Sequence, residues 1–141
     1  MSTTMQDPQA YIDEMARTRG YVLDYHKVMA KQDFDVLQAA NNLVGAAYLE
    51  ERTLDRKTKE LIFIVSLTVM RASKGHIQSH IRVALDLGLS AREILEAIEI
   101  SLPEAGIVAF QTGFEAWREV VDADGLEPTV KVFDGGAGAG A

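Results

Sequence analysis

The chain has 141 residues, 48% of them hydrophobic and 25% charged, the proportions of an ordinary globular protein and enough length for one domain with its own core. A formal net charge of −7 argues against general nucleic-acid binding, which needs a positive surface to displace counterions. Cysteine is absent, which removes disulfides, thiolate metal sites and thiol redox chemistry together.

The chain opens without a basic segment followed by an apolar one, and its most apolar run, LIFIVSLTVM at 61–70, is about half the ~20 residues that cross a bilayer. A soluble, cytoplasmic protein is the expectation. The periodicity is helical throughout. Asp7-Pro8 is an N-cap followed by proline at the first helical position, and Tyr11, Ile12 and Met15 then recur at helical spacing up to Gly20. A second helix is predicted over 21–31. Asp33 can cap a third, with Val36, Leu37, Ala40, Leu43, Val44, Ala47 and Tyr48 as its stripe. Residues 50–56 turn the chain, and Asp55 caps a fourth helix that opens RKTKE and becomes apolar on nearly every side. Such a helix belongs inside a core or between subunits. The fifth follows the Ser73-Lys74-Gly75 junction and stops at Gly88, a natural position for a left-handed end. Ser90-Ala91-Arg92-Glu93 reads as a capping box opening the sixth. Pro103 starts a seventh, over 103–121, with Ile107, Phe110, Phe114, Trp117 and Val121 facing inward. The expectation is therefore a single all-α, seven-helix domain over 1–126, followed by a flexible Gly/Ala-rich tail over 127–141.

The junction between the fourth and fifth helices concentrates the candidate chemistry. Glu60 precedes the apolar run, Arg71 ends it, Ser73 marks the junction, and His76 and His80 follow one turn apart in SKGHIQSH. Residues i and i+4 share a helix face, so the two imidazoles are neighbours beside the apolar stripe of Ile77, Ile81 and Ala84. A helix N-terminus there favours an anion or a developing oxyanion. Each feature also has a bland reading. His-x-x-x-His occurs on wet helix faces, RKTKE reads as a solvated charge run, and Arg71 and Lys74 as helix-end charges. His26 in the second helix reads as a half-buried structural histidine.

Two stretches carry a family resemblance: LDRKTKELIFIVSLTVMRASKGHIQSHIRVALDLGLSAREILEAI and LPEAGIVAFQTGFEAW. Their order is a "KEL" opening, an apolar helix, a short junction, a helix ending H-x-R-x-A-L-x-x-G and a small-residue-capped helix. It resembles the carboxymuconolactone decarboxylase family, which includes the alkylhydroperoxidase D-like proteins. The N-terminal YHKVMAKQDFDVLQAANNLVGAAYLEERTLD looks like the lead-in helices of the same family. The resemblance implies an all-α fold assembling as a trimer or hexamer. Members similar to the peroxidase branch use a Glu, a Cys-x-x-Cys pair and a His. By position Glu60 matches the glutamate and His80 the histidine, while Ser73 and His76 occupy the cysteine positions. The interval from Glu60 to the junction is one residue longer than the common pattern. Without cysteine, thiol peroxidase chemistry has no nucleophile. The decarboxylase branch works on small carboxylated lactones and often places an acidic residue near the position of His76.

The leading expectation is a cofactor-free acid/base enzyme acting on a small organic acid, of decarboxylase, lyase or isomerase type. His80 is its general base or acid, and His76 a second proton donor or oxyanion stabiliser. Glu60 orients an imidazole, Arg71 or Lys74 pairs with a substrate carboxylate, and Ser73 donates a hydrogen bond. One alternative is a metal enzyme with His76, His80 and Glu60 as ligands. Another is a non-catalytic oligomeric binding protein, in which Phe63 or Phe114 closes the junction.

Overall fold

A computed structural model describes residues 7–125; the expected Gly/Ala tail lies outside them. The described chain is all-α, with no strand among those residues. Helix α1 (Pro8–Arg19) begins where Asp7 accepts the N–H groups of Gln9 and Ala10, and ends at Gly20, whose φ of 87° is the left-handed cap. Helix α2 (Asp24–Gln32) starts three residues later than predicted. The cause is local: residues 21–23 are non-helical, and the Leu23 N–H is taken by the His26 ring at 3.0 Å.

Helix α3 (Phe34–Val44) does not run unbroken to Tyr48. It widens into a π-helical turn over Gly45–Leu49. Such a turn accommodates one extra residue and changes the direction of the side chains it carries; here it brings Tyr48 inward to 2% exposure. Helix α4 (Arg56–Val69) is capped by Asp55, and α5 (Lys74–Asp86) by Ser73, whose Oγ accepts the His76 N–H at 3.3 Å. Helix α6 (Ala91–Glu99) opens with the expected capping box, both bonds at 3.0 Å. The stretch expected as one seventh helix divides at Gly106, φ 90°, into a short α7 (Ser101–Ala105) and α8 (Ile107–Val121). Pro103 lies inside α7 rather than starting a helix. A 3₁₀ turn, Ala123–Gly125, follows.

Helix α4 is central and packs against α5, α6, α7 and α8. The larger core joins Ile64 and Leu67 of α4 to Ile77 and Ile81 of α5, Ile94 and Ile98 of α6 and Trp117 of α8. A smaller core of Ile12, Met15, Ala30 and Leu37 holds the first three helices together. Although α4 is apolar nearly all round, it is not covered all round, since Ile62 is 48% exposed. The α4–α8 contact is close. A Cβ on Gly113 would sit against Thr68 Oγ1, 2.7 Å from Thr68 Cγ2 and 3.0 Å from Ile98 Cγ2. Gly113→Ala is therefore expected to lower the stability of the chain by about 1–3 kcal/mol through overpacking, measured as a lower denaturation midpoint in urea at unchanged slope.

Candidate active site

Helices α4 and α5 bring the two ends of the candidate machinery together. Glu60 and His80, twenty residues apart, are both fully buried, and His80 Nδ1 lies 2.7 Å from Glu60 Oε1. Two further donors hold the other oxygen of the carboxylate. The Tyr48 hydroxyl donates to Glu60 Oε2, and Arg56 Nε, one helical turn before Glu60, lies 3.4 Å from it. Arg56 Nη2 also donates to the Tyr48 hydroxyl at 3.0 Å and to the Arg19 carbonyl at 2.9 Å, with its guanidinium 4.5 Å from the centre of the Tyr48 ring. A carboxylate taken from water needs this many partners.

The result is a fixed imidazole. Donors on Oε2 leave Oε1 to accept from His80 Nδ1–H, so the lone pair of the neutral ring is on Nε2. That Nε2 is buried and has no hydrogen-bond partner. Phe63 stacks on the ring at 4.5 Å and 9°, Tyr21 lies at 4.8 Å, and His76 at 5.5 Å. Burial, then Glu60, pushes the Tyr48 phenol well above its ordinary value, which keeps it a donor. Burial, then His80, pushes His76 below the usual imidazole range. It is therefore neutral at pH 7 and has an N–H to donate.

His76 is half-buried at the edge of a hollow of about 440 Å³. Ser73, Gly75 and the α1–α2 link at Val22 and Leu23 line the same hollow. Phe63 covers one face of His80, which is fully buried and is not among the residues lining the hollow, and Phe114 packs with Phe110 and Trp117 in the core.

Arg71, Ser73 and Lys74 are exposed and lie outside this buried pair. Lys74 Nζ is committed to Glu119 of α8 at 2.8 Å, on the surface, and Arg71 is exposed at the turn after α4, with φ 56°. Neither belongs to the buried cluster. Ser73 Oγ acts as an N-cap acceptor. The proposed metal set of His76, His80 and Glu60 does not form: among the described residues no group of three His, Cys, Asp or Glu side chains is placed to hold a metal ion. The physical reason is that Glu60 faces the His80 nitrogen as an acceptor and spends its other oxygen on Tyr48 and Arg56. In the turn between α4 and α5 Arg71 is left-handed and the Ala72 N–H reaches back to Leu67 O at 2.9 Å.

The carboxymuconolactone decarboxylase family profile matches residues 35–119. The chain belongs to this family. The match covers α3 to most of α8 and includes Tyr48, Arg56, Glu60, His76 and His80. Comparison with curated proteins and with solved structures returned no match. No described helix is long and apolar enough to cross a membrane. Within the family fold, Tyr21 and Arg19 reach the cluster from outside the matched span.

The third histidine joins the same neighbourhood. His26 is 1% exposed, and burial, then Arg19, then His76, lowers its pKa from 6.5 to about 4. In the unfolded chain it binds a proton near 6.5, in the folded chain only near 4. Its contribution to stability is complete above pH 6.5 and is lost as the pH falls through that window. Stability is expected to drop on acidification from pH 7 to pH 4, with His26 supplying at most about 3 kcal/mol of the loss. Urea denaturation at stepped pH checks this; a His26→Asn variant should show a shallower slope between pH 6.5 and 4.

Proposed function

We propose that this member of the family is an acid/base enzyme that moves a proton on a small carboxylated organic molecule, with His80 Nε2 as the proton-transferring atom. The reading rests on one observation above all: a buried imidazole oriented through Nδ1 by a carboxylate, with its second nitrogen unpartnered. A carbon made acidic by a neighbouring carbonyl or lactone gives its proton to Nε2. The imidazolium so formed is stabilised by Glu60, and the proton returns to the product from the same nitrogen. For loss of CO₂, the ring first takes a proton from solvent at Nε2, and that Nε2–H then protonates the enolate left behind, returning the ring to its neutral form. His76, neutral and at the mouth of the hollow, donates a hydrogen bond to the developing oxyanion. The scheme calls on side chains alone.

The test is deuterium incorporation. β-Keto acids and unsaturated lactone carboxylates are incubated with the protein in D₂O and followed by NMR for exchange or CO₂ loss. Catalysed exchange on one of them supports the reading. No exchange across the panel, from a folded chain, leaves the non-catalytic binding protein in its place.

We also infer that copies of the chain associate, in threes or sixes as the resemblance implies. Leu43, Ile62, Met70, Ile107 and Val108 are exposed apolar residues, and Leu43 and Ile62 border an apolar groove of about 260 Å³ that also reaches Tyr48 and Phe63. Contact between copies would cover this surface. Sedimentation equilibrium is expected to give a mass three or six times 15.5 kDa; a monomer at micromolar concentration would refute it.

A further inference from the structure

Helix α4 leaves one face uncovered. Lys59, Ile62, Val65, Ser66, Val69 and Met70 recur at the three- and four-residue spacing of a single helix face. None of them is buried, and Ile62 and Met70 are 48% and 68% exposed. From Ile62 to Met70 the stripe runs about 12 Å at the rise of an α-helix. The opposite face, through Ile64, Leu67 and Thr68, is the one that is buried.

A groove flanks each half of the stripe. Beside the N-terminal half, a groove of about 260 Å³ lies between Lys59, Ile62 and Phe63 of α4 and Leu43, Val44 and Ala47. Beside the C-terminal half, one of about 310 Å³ lies between Val65, Ser66, Val69 and Met70 and the pair Ile100 and Glu104. Each half therefore offers an apolar hollow and exposed apolar side chains beside it, Leu43 and Ile62 at one end, Met70 and Ile100 at the other.

Charge gives this face a direction. Lys59 rims the first groove and Glu104 the second, and among the described residues neither has an ion pair. Lys59 Nζ donates to the Glu50 carbonyl at 3.3 Å and keeps two further N–H groups. An apolar stripe with a cation at one end and an anion at the other complements a copy of itself turned end for end. Laid parallel, each Lys59 would meet the partner's Lys59, and like charges repel. The end-for-end arrangement is an isologous two-fold contact, in which one patch serves both copies. Its midpoint falls at Val65 and Ser66, where the small Ser66 lets two helices approach closely.

We propose that this face of α4 binds a second copy of the chain, antiparallel across a two-fold axis beside Ser66. Met70 and Ile100 of each copy sit in the other's first groove, and Lys59 pairs with the partner's Glu104. The pairing reaches the candidate site, because Tyr48 and Phe63, which line the first groove, are the residues that anchor Glu60 and stack on His80. It deepens the association inferred above and rests on that reading only for the number of copies. A ring of three has no two-fold axis, so the contact selects six, as two threes joined through α4. Ile107 and Val108 line neither groove and are left for contacts within a three.

The full-length chain has no cysteine, so a single introduced thiol reports on the axis. Under mild oxidation Ser66→Cys is expected to give a disulfide-linked pair on a non-reducing gel, since residues beside a two-fold axis face their own copies. Glu96→Cys, on the exposed side of α6, should stay single. Lys59→Glu and Glu104→Lys should each raise the concentration at which copies separate by at least about tenfold, and the double variant should recover most of that loss. No cross-link from a folded, oxidised Ser66→Cys chain, or a double variant no tighter than the singles, overturns the pairing. A particle of twice 15.5 kDa keeps the pairing and loses the assembly in threes. One of three times that mass without a cross-link keeps the threes and loses the pairing.

Discussion

Replacing His80 with glutamine is expected to slow proton exchange by about 10²- to 10⁴-fold, the usual worth of a positioned general base, without unfolding the chain. Glutamine has nearly the length of histidine, and its amide can still donate to Glu60 Oε1, the bond His80 makes at 2.7 Å. What it lacks is a basic nitrogen where Nε2 stands. The variant therefore separates chemistry from architecture: helical circular dichroism should match the parent while deuterium incorporation falls toward the solution rate. His76→Ala should cost less, since His76 sits at the edge of the hollow and assists by hydrogen bonding. Folded His76→Ala and His80→Gln proteins that both exchange at the parental rate would end the mechanism.

Glu60→Gln carries the second large effect, on two measurements at once. The carboxylate is fully buried and serves His80, Tyr48 and Arg56 together. Removing its charge leaves Arg56 without its counter-ion, and breaking a buried pair costs about 3–5 kcal/mol. The partial exposure of Arg56, 25%, points to the lower end of that range. Activity should fall for a separate reason. Tyr48 and Arg56 both donate, so they hold the amide oxygen and turn its NH₂ toward His80. Nδ1 must then accept, the ring proton moves to Nε2, and the lone pair that does the work faces inward. A loss of about 10²- to 10⁴-fold in exchange is expected, together with a lower urea midpoint. A glutamine variant with full activity would show that the carboxylate does not set the tautomer.

Much of this was legible in the chain. Cap residues placed α1, α3, α4 and α6 because capping is local chemistry, complete within four residues. The histidine pair announced itself by its i, i+4 spacing. Glu60 was harder, since RKTKE reads as a wet charge run. The one local clue to its burial was an arginine four residues before it, the spacing at which Arg56 reaches it. Tyr48 was read as one more member of the α3 apolar stripe, because a π turn leaves that periodicity looking ordinary. Arg19 and Tyr21 gave no sign at all. They come from a different part of the chain, and only tertiary packing brings them beside α4 and α5. The same limit explains Lys74, whose partner Glu119 is forty-five residues away.

The widened turn at Gly45–Leu49 also has a meaning for descent. Each residue of a regular helix advances its neighbours by about 100°, so deleting a single codon within GAAY would rewind the segment and swing the phenol away from Glu60. The buried carboxylate would lose one of its three anchors while the helices around it kept their places. A single-residue deletion here is thus expected to loosen the hold on Glu60 without dismantling the fold.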